Sequence, residues 1–391
     1  MSIVVSGLGV VSSLGIGVRE NLSHLYAGQG GISPCPEQLM TNHKIPVGEL
    51  RFSNEELKEI LRIPSRKLIS RTALLGMLAV KEAIADAKID VSSRQTGLIS
   101  STSVGGMDLT ELFFKEFVKD NAKGDLRYIR MHDCAASTKA ICDYCQIKGY
   151  STTISTACSS SANAVIKGYN LVRHGILDAV IVGGCDALSA FTLNGFRSLM
   201  ILDKEPCKPF DARRAGLNLG EGAGYIVLQR EEDSKNKYCR LSGFANTNDA
   251  YHQTASSDNG EGAYLAMKKA LSMASLSPES IDYINAHGTG TPNNDLSEAT
   301  SIMRVFGQHI PLVCSTKSYT GHTLAASGGI ESVFSILSIL EGFVPQSLHF
   351  AEPMANRFMP TTRLIKKDIH AVLSNSFGFG GNCSTLLFTK L

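Results

Sequence analysis

The chain has 391 residues, 43% of them hydrophobic and 19% charged, with a formal net charge of +2. That size and apolar content suit one large core or two coupled ones and exclude a disordered chain or a fibre, while near-neutrality without a long Lys/Arg run excludes a dedicated nucleic-acid binder. No stretch reads as the ~18 apolar residues of a membrane span and no basic leader precedes Ile3-Val-Val, so the expected location is the cytoplasm, with the ten scattered cysteines kept as reduced thiols.

Apolar runs alternate with helical patterns along the chain. Residues 3–6 read as a strand, 18–27 as a helix, 65–87 as a long helix and 96–100 as a second strand, which stops at the glycine turn Ser103-Val-Gly-Gly106. Helical patterns follow over 109–119 and 134–147, and the single C-x-x-C, Cys142-Asp-Tyr-Cys145, falls inside the second of them as packing. Next comes Thr153-Ile-Ser-Thr-Ala-Cys158, a short β-type run that ends on small residues. Ala162, Val165, Ile166, Tyr169 and Val172 then recur at helical spacing, with Gly175 as the stop. Cys158 therefore sits on a strand-to-helix turn, where unpaired backbone N–H groups and the helix dipole favour thiolate. The expected consequence is a thiol pKa lowered into a range of roughly 3.5–7.5. A strand over 179–182, the loop from Cys207 to Gly216 and a strand over 223–228 close this half.

The second half repeats the plan at weak identity. Arg240-Leu-Ser-Gly-Phe-Ala mirrors the first strand, 282–286 mirrors 96–100, 311–315 with its turn and helix mirrors the cysteine unit, and 369–374 mirrors 179–182. The reading is an α/β protein of two coupled halves, 1–236 and 237–391, with a largely parallel sheet buried on both faces and function where the strands' carboxyl ends meet. The turns of the second half supply partners for Cys158. His287 lies in Asn285-Ala-His-Gly-Thr-Gly-Thr-Pro292 directly after a strand, in a loop with few side chains to bury an imidazole. His322 ends Ser315-Thr-Lys-Ser-Tyr-Thr-Gly-His322 at the head of a helix. The loop Asn375-Ser-Phe-Gly-Phe-Gly-Gly381 lets backbone N–H groups approach a ligand oxygen. No Walker A pattern and no G-x-G-x-x-G opening a βαβ unit is present.

These four motifs, in this order and across essentially the whole chain, resemble the β-ketoacyl-acyl carrier protein synthases of the elongating Cys-His-His type. The resemblance implies a thiolase-like fold of two pseudo-symmetric halves in five α-β-α-β-α layers, and decarboxylative condensation of malonyl-acyl carrier protein with a Cys-bound acyl chain to give 3-oxoacyl-acyl carrier protein. It implies Cys158 as nucleophile and His287 and His322 at the malonyl thioester. Lys317 would order the histidines and Glu331 the network behind them. Thr289 and Thr291 would bind the pantetheine arm, Phe379 would gate the acyl pocket, and Phe379 with Gly380 would belong to the substrate-binding loop. No metal is implied, and no cofactor beyond the phosphopantetheine of the acyl carrier protein. The partners implied are that carrier and a second subunit, giving a homodimer or a heterodimer with a chain-length-factor-like chain.

Two departures stand out. Arg214-Ala-Gly-Leu217 replaces the usual Arg-Asp-Gly-Phe, and Gly380-Gly-Asn-Cys383 replaces Gly-Gly-Thr-Asn, departures that speak against housekeeping fatty-acid synthesis. Ala190-Phe-Thr-Leu-Asn-Gly-Phe196 with Gly216-Leu-Asn-Leu-Gly-Glu221 resembles ketosynthases of aryl-polyene or flexirubin-type pathways, so the chain elongated is a fatty-acid or a polyene/polyketide one. A thiolase shares the fold but needs a second cysteine where this chain has Asn375-Ser-Phe. A chain-length-factor subunit would lack Cys158. For the acidic carrier, the densest basic stretch is Arg62-Ile-Pro-Ser-Arg66-Lys67-Leu-Ile-Ser-Arg71, expected to be exposed around a helix start.

Overall fold

The computed structural model describes residues 2–39 and 41–391. Ten long-range strands make two five-stranded sheets of identical order. In the first half these are β1 (Ile3–Ser12), β3 (Thr96–Ser101), β4 (Ser151–Ile154), β5 (Ala179–Asp186) and β6 (Gly222–Arg230), running β4-β3-β5-β6-β1. In the second they are β7 (Cys239–Asn248), β8 (Tyr283–Asn285), β9 (Leu312–Cys314), β12 (Ala371–Gly378) and β13 (Asn382–Thr389), running β9-β8-β12-β13-β7. The sheets join edge to edge where Val4 and Val5 of β1 pair with Arg240 and Cys239 of β7. A two-residue β2 (Gly15–Ile16) folds back on β1, and β10 (Phe343–Val344) with β11 (Ile365–Lys366) forms a separate ribbon.

The sheet is mixed rather than largely parallel. Only β3–β4, β3–β5, β8–β9 and β8–β12 are parallel, while β5–β6, β6–β1 and their counterparts are antiparallel. The reason is local. Strands β12 and β13 turn back through a tight glycine loop, which can only give an antiparallel pair; β6 returns beside β5 in the same sense. Apolar runs report burial on both faces but not direction.

Helices α1 (Val18–Ala27), α2 (Asn54–Ile60), α3 (Arg71–Ala87), α4 (Met107–Phe117) and α5 (Cys134–Cys145) belong to the first half, as do α6 (Ser160–Arg173) and α7 (Ala190–Ser198). The second half has α8 (Glu261–Ala274), α9 (Pro292–Phe306), the single turn α10 (Lys317–Thr320) and α11 (Ser327–Glu341). Helices α3 and α5 cover the outer face of the first sheet, α8 and α9 that of the second, and α6 with α11 lies between the sheets, which makes five layers. Gly9 of β1 shows why the outer packing is close: a Cβ there would sit 1.9 Å from the carbonyl of Ala79 on α3. A strand reading that stops at the first glycine therefore ends too soon, and β1 continues to Ser12.

The expected helix over 65–87 begins only at Arg71, because Ser70 caps it by accepting from the Ala73 N–H, after a short turn at 65–66 and an irregular stretch over 68–70. Leu324–Glu341 is, against expectation, a helical stretch long and apolar enough to cross a membrane, and it is buried as the central helix of the core.

Candidate active site

Cys158 follows β4 and precedes α6. The turn needs Ala157 at φ 53, a left-handed conformation unusual for a residue with a side chain. The second half repeats this feature: Leu324, three residues before α11 as Ala157 is three before α6, has φ 50. The two turns aim their functional groups at each other. His322 Nε2 lies 3.1 Å from Cys158 Sγ, the His287 and His322 rings meet edge to face at 5.4 Å, and the donor atoms of Cys158, His287 and His322 all lie within 4.8 Å of one another.

The protonation of this trio follows from its surroundings. Burial, reinforced by the Lys317 charge, holds both imidazoles well below the ordinary histidine pKa, so both are neutral. Nδ1 of His322 meets the Ser327 hydroxyl at 3.0 Å, which can donate or accept, and the Leu324 N–H at 3.3 Å, which can only donate. The tautomer that satisfies both has Nδ1 accepting and the proton of the neutral ring on Nε2, pointing into the site. A metal needs that nitrogen's lone pair, so the trio's spacing suits a metal better than its tautomer does. The His287 loop is buried after all, walled by Phe377 and His322.

Cys158 does not have the lowered pKa expected of it. Burial pushes the thiol up to about 11, against the pull of the Lys317 charge and the Phe379 N–H. A helix terminus acts on a group in water differently from one sealed under a loop: here the desolvation of sulfur outweighs the dipole. Behind the trio, Lys317 on α10 and Glu331 on α11 form a buried ion pair, which keeps one cation close to the site without exposing it.

The glycine loop forms the lid. Gly378 fits against the cysteine turn where a Cβ would lie 2.9 Å from the Thr156 carbonyl and 3.2 Å from the Cys158 nitrogen, and Phe379 stacks on Phe196 of α7 at 6.0 Å. Cys158, His287, His322, Thr289, Thr291, Phe379 and Gly380 all line one cavity of about 430 Å³. Lys317 and Glu331 stand behind its wall.

Several participants escaped the sequence reading. Glu298 on α9 accepts the N–H groups of His287 (2.9 Å) and Gly288 (2.7 Å) and the side chain of Asn375 (3.1 Å), clamping the histidine loop to β12. Asp186, at the end of β5, accepts from Ser103 and the Ala325 N–H. Both are single acids that accept from backbone N–H groups as well as from one or two side chains, and the only signal was an acid placed just beyond a motif. Arg71 is corrected outright: its guanidinium is buried and chelated by Glu221 at 2.6 Å, so it is not part of a docking surface.

Residues 1–234 match the family described as Beta-ketoacyl synthase, N-terminal domain, and 238–351 match Beta-ketoacyl synthase, C-terminal domain. The chain belongs to the beta-ketoacyl synthase family. Among curated relatives it is similar to 3-oxoacyl-[acyl-carrier-protein] synthase 2 of Staphylococcus aureus (strain COL), 31% identical with 99% of this chain and 98% of the relative covered. The namesake from Synechocystis is 32% identical over the same shares. Among solved structures, a ketosynthase in complex with its chain length factor from Xenorhabdus doucetiae superposes with TM-score 0.88 at 30% identity, covering 100% of this chain and 98% of that one. The ishigamide ketosynthase/chain length factor superposes with TM-score 0.93 at 27% identity, covering 100% and 99%. The thiolase-like fold and the ketosynthase assignment follow.

Proposed function

We propose that this ketosynthase elongates carrier-bound acyl chains. Cys158 Sγ attacks the acyl thioester carbon, and the bond to the carrier's sulfur breaks as that thiol leaves with the proton. Malonyl thioester then loses CO₂, and the enolate carbon attacks the acyl carbon, expelling Sγ and giving the 3-oxoacyl thioester. The observation that carries the reading is the convergence of Cys158 with two neutral imidazoles, one with its Nε2–H directed inward. Such donors stabilise an enolate oxygen without delivering a proton to it. The backbone N–H groups of Cys158 and Phe379 suit the tetrahedral oxygen. Thr289 and Thr291, 2.9 Å apart on the cavity wall, suit the pantetheine arm, and Phe379 with Gly380, on the same wall, suits a gate to the acyl pocket.

The same reading expects an acyl carrier protein and a second subunit, either a copy of this chain or a chain-length-factor-like one. Leu112, Phe114, Phe117 and Val118 are exposed on and just after α4, a patch of the kind a partner covers. The carrier is acidic, and two basic hollows offer it charge. One, with Lys44, Arg197 and Lys204, shares Met200 with the catalytic cavity; the other gathers Arg66, Lys67, Arg127, Arg130 and Lys139. All ten cysteines are free, which suits a cytoplasmic location. The chain elongated is a fatty-acid or a polyene/polyketide one, the second reading resting on the resemblance carried by residues 190–196 and 216–221.

The test is the intact mass of wild type and Cys158→Ala after incubation with acyl carrier protein, then with malonyl carrier. Acyl mass on wild type alone, with malonyl decarboxylation surviving in the variant, supports the scheme. Acyl mass on the variant moves the nucleophile elsewhere.

A further inference from the structure

The cysteine turn and the glycine loop come from opposite halves of the chain, yet acylation needs the Cys158 sulfur and the Phe379 N–H held in one fixed relation. Gly378 packs against the turn and the Phe379 N–H faces the sulfur, but Phe379 and Gly380 are otherwise exposed. A side-chain network beside this contact adds a second link. Asn382, which pairs with Gly378 in the β12–β13 hairpin, presents its Oδ1 to three neighbours. These are the Ser159 hydroxyl at 2.6 Å, Asn163 Nδ2 at 2.9 Å and Asn246 Nδ2 at 2.8 Å. Asn163 Nδ2 also donates to Thr156 Oγ1 at 2.9 Å, and Asn163 Oδ1 accepts from Asn246 and Ser384, both at 2.8 Å.

We infer that Asn382 is a positioning residue that locks the oxyanion loop onto the nucleophile turn, acting through Ser159, the residue next to Cys158. The inference rests on the ketosynthase reading above. Thr156, Ser159 and Asn163 belong to the turn and first turns of α6, whereas Asn382 belongs to the strand that emerges from the loop, so the network spans the two elements that must not drift apart. The Asn382 amide meets Ser159 and Asn163 directly through Oδ1 and Thr156 by way of Asn163, while its Nδ2 donates to Asn246 Oδ1 at 3.3 Å, so acceptor and donor atoms of one planar group are both used. A threonine there, as in the pattern this chain resembles, ends in a hydroxyl nearer the backbone and lacks the separate donor and acceptor atoms of the amide. The departure at 382 is thereby given a physical purpose.

The test compares wild type, Asn382→Ala and Asn382→Asp in three measurements on the full chain: acylation of Cys158 by a small acyl thioester, decarboxylation of malonyl thioester, and Tm. Losing an oxyanion donor typically costs about 10²–10³ in rate, so a donor displaced rather than deleted should slow acylation about tenfold in the Ala variant. Decarboxylation, which uses the histidines and not the Phe379 N–H, should stay within about twofold. The Asp variant keeps the Oδ1 acceptor and should recover most of the acylation rate, while its negative charge shifts the pH profile of Cys158 alkylation to higher pH. Acylation unchanged in the Ala variant overturns the inference. So does an equal fall in acylation and decarboxylation together with a large drop in Tm, the mark of a merely structural residue. A wild type that accepts no acyl group on Cys158 would instead sink the ketosynthase reading itself, before any variant is compared.

Discussion

Replacing Lys317 by Met removes the cation paired with Glu331 behind the Cys158–His287–His322 trio and leaves Glu331 as an unpaired buried acid. The partner is already poorly served, because Glu331 Oε2 is buried without a hydrogen-bond partner. Breaking a buried pair from one side costs about 3–5 kcal/mol. With an unfolding entropy of about 2.1 cal/mol/K per residue, a chain of this length should lose roughly 4–6 °C in Tm. The chemistry should suffer separately: without the Lys317 charge both imidazole pKa values rise and the Cys158 thiol rises further, so decarboxylation and acylation both slow, by about 10² if the effect equals the loss of one preorganised donor. The double variant Lys317→Met/Glu331→Leu separates these effects, since an apolar pair of similar volume often restores stability. We expect Tm to return to within a few degrees of wild type while malonyl decarboxylation, followed by CO₂ release, stays low. A double variant that decarboxylates at the wild-type rate would refute an electrostatic role for Lys317, and a single variant with unchanged Tm would refute the buried pair.

Two further outcomes are expected. The alkylation rate of Cys158 in the resting enzyme should keep rising with pH toward about 11, because the folded thiol ionises above its ordinary value; a plateau below pH 8 would restore the lowered pKa that the turn alone suggests. Reversing Arg66 and Lys67 to Glu should slow acylation by carrier protein and flatten its salt dependence with little effect on a small thioester, and the Arg197/Lys204 reversal should do the same. Whichever pair leaves carrier and small thioester equally affected, or both untouched, is not a docking surface.

Much of this was legible in the residues. Cys158, His287 and His322 were each readable because strand, small-residue turn and helix leave a local signature, and because the second half repeats the first. The ionisation of Cys158 was not, since the burial that raises it is supplied by segments distant in the chain, Gly378 of the glycine loop packing against the turn among them. Arg71 misled for the same reason: a cation before a helix looks solvated until Glu221 is folded against it. Strand direction was lost because apolar content reports burial only, and Glu298 because two of its partners are backbone N–H groups that no side-chain pattern announces and the third, Asn375, lies far along the chain.

The matched left-handed residues Ala157 and Leu324 carry a historical consequence. One backbone device, used twice, holds a thiol in one half and leads into an imidazole in the other. Had two identical half-chains met about a twofold axis, each turn would be obliged to offer the same side chain, and a nucleophile could never face its complement. Joining the halves into one polypeptide removes that obligation. Division of labour between the turns is thus a property that covalent continuity permits, and substitutions on one side can be selected without being imposed on the other.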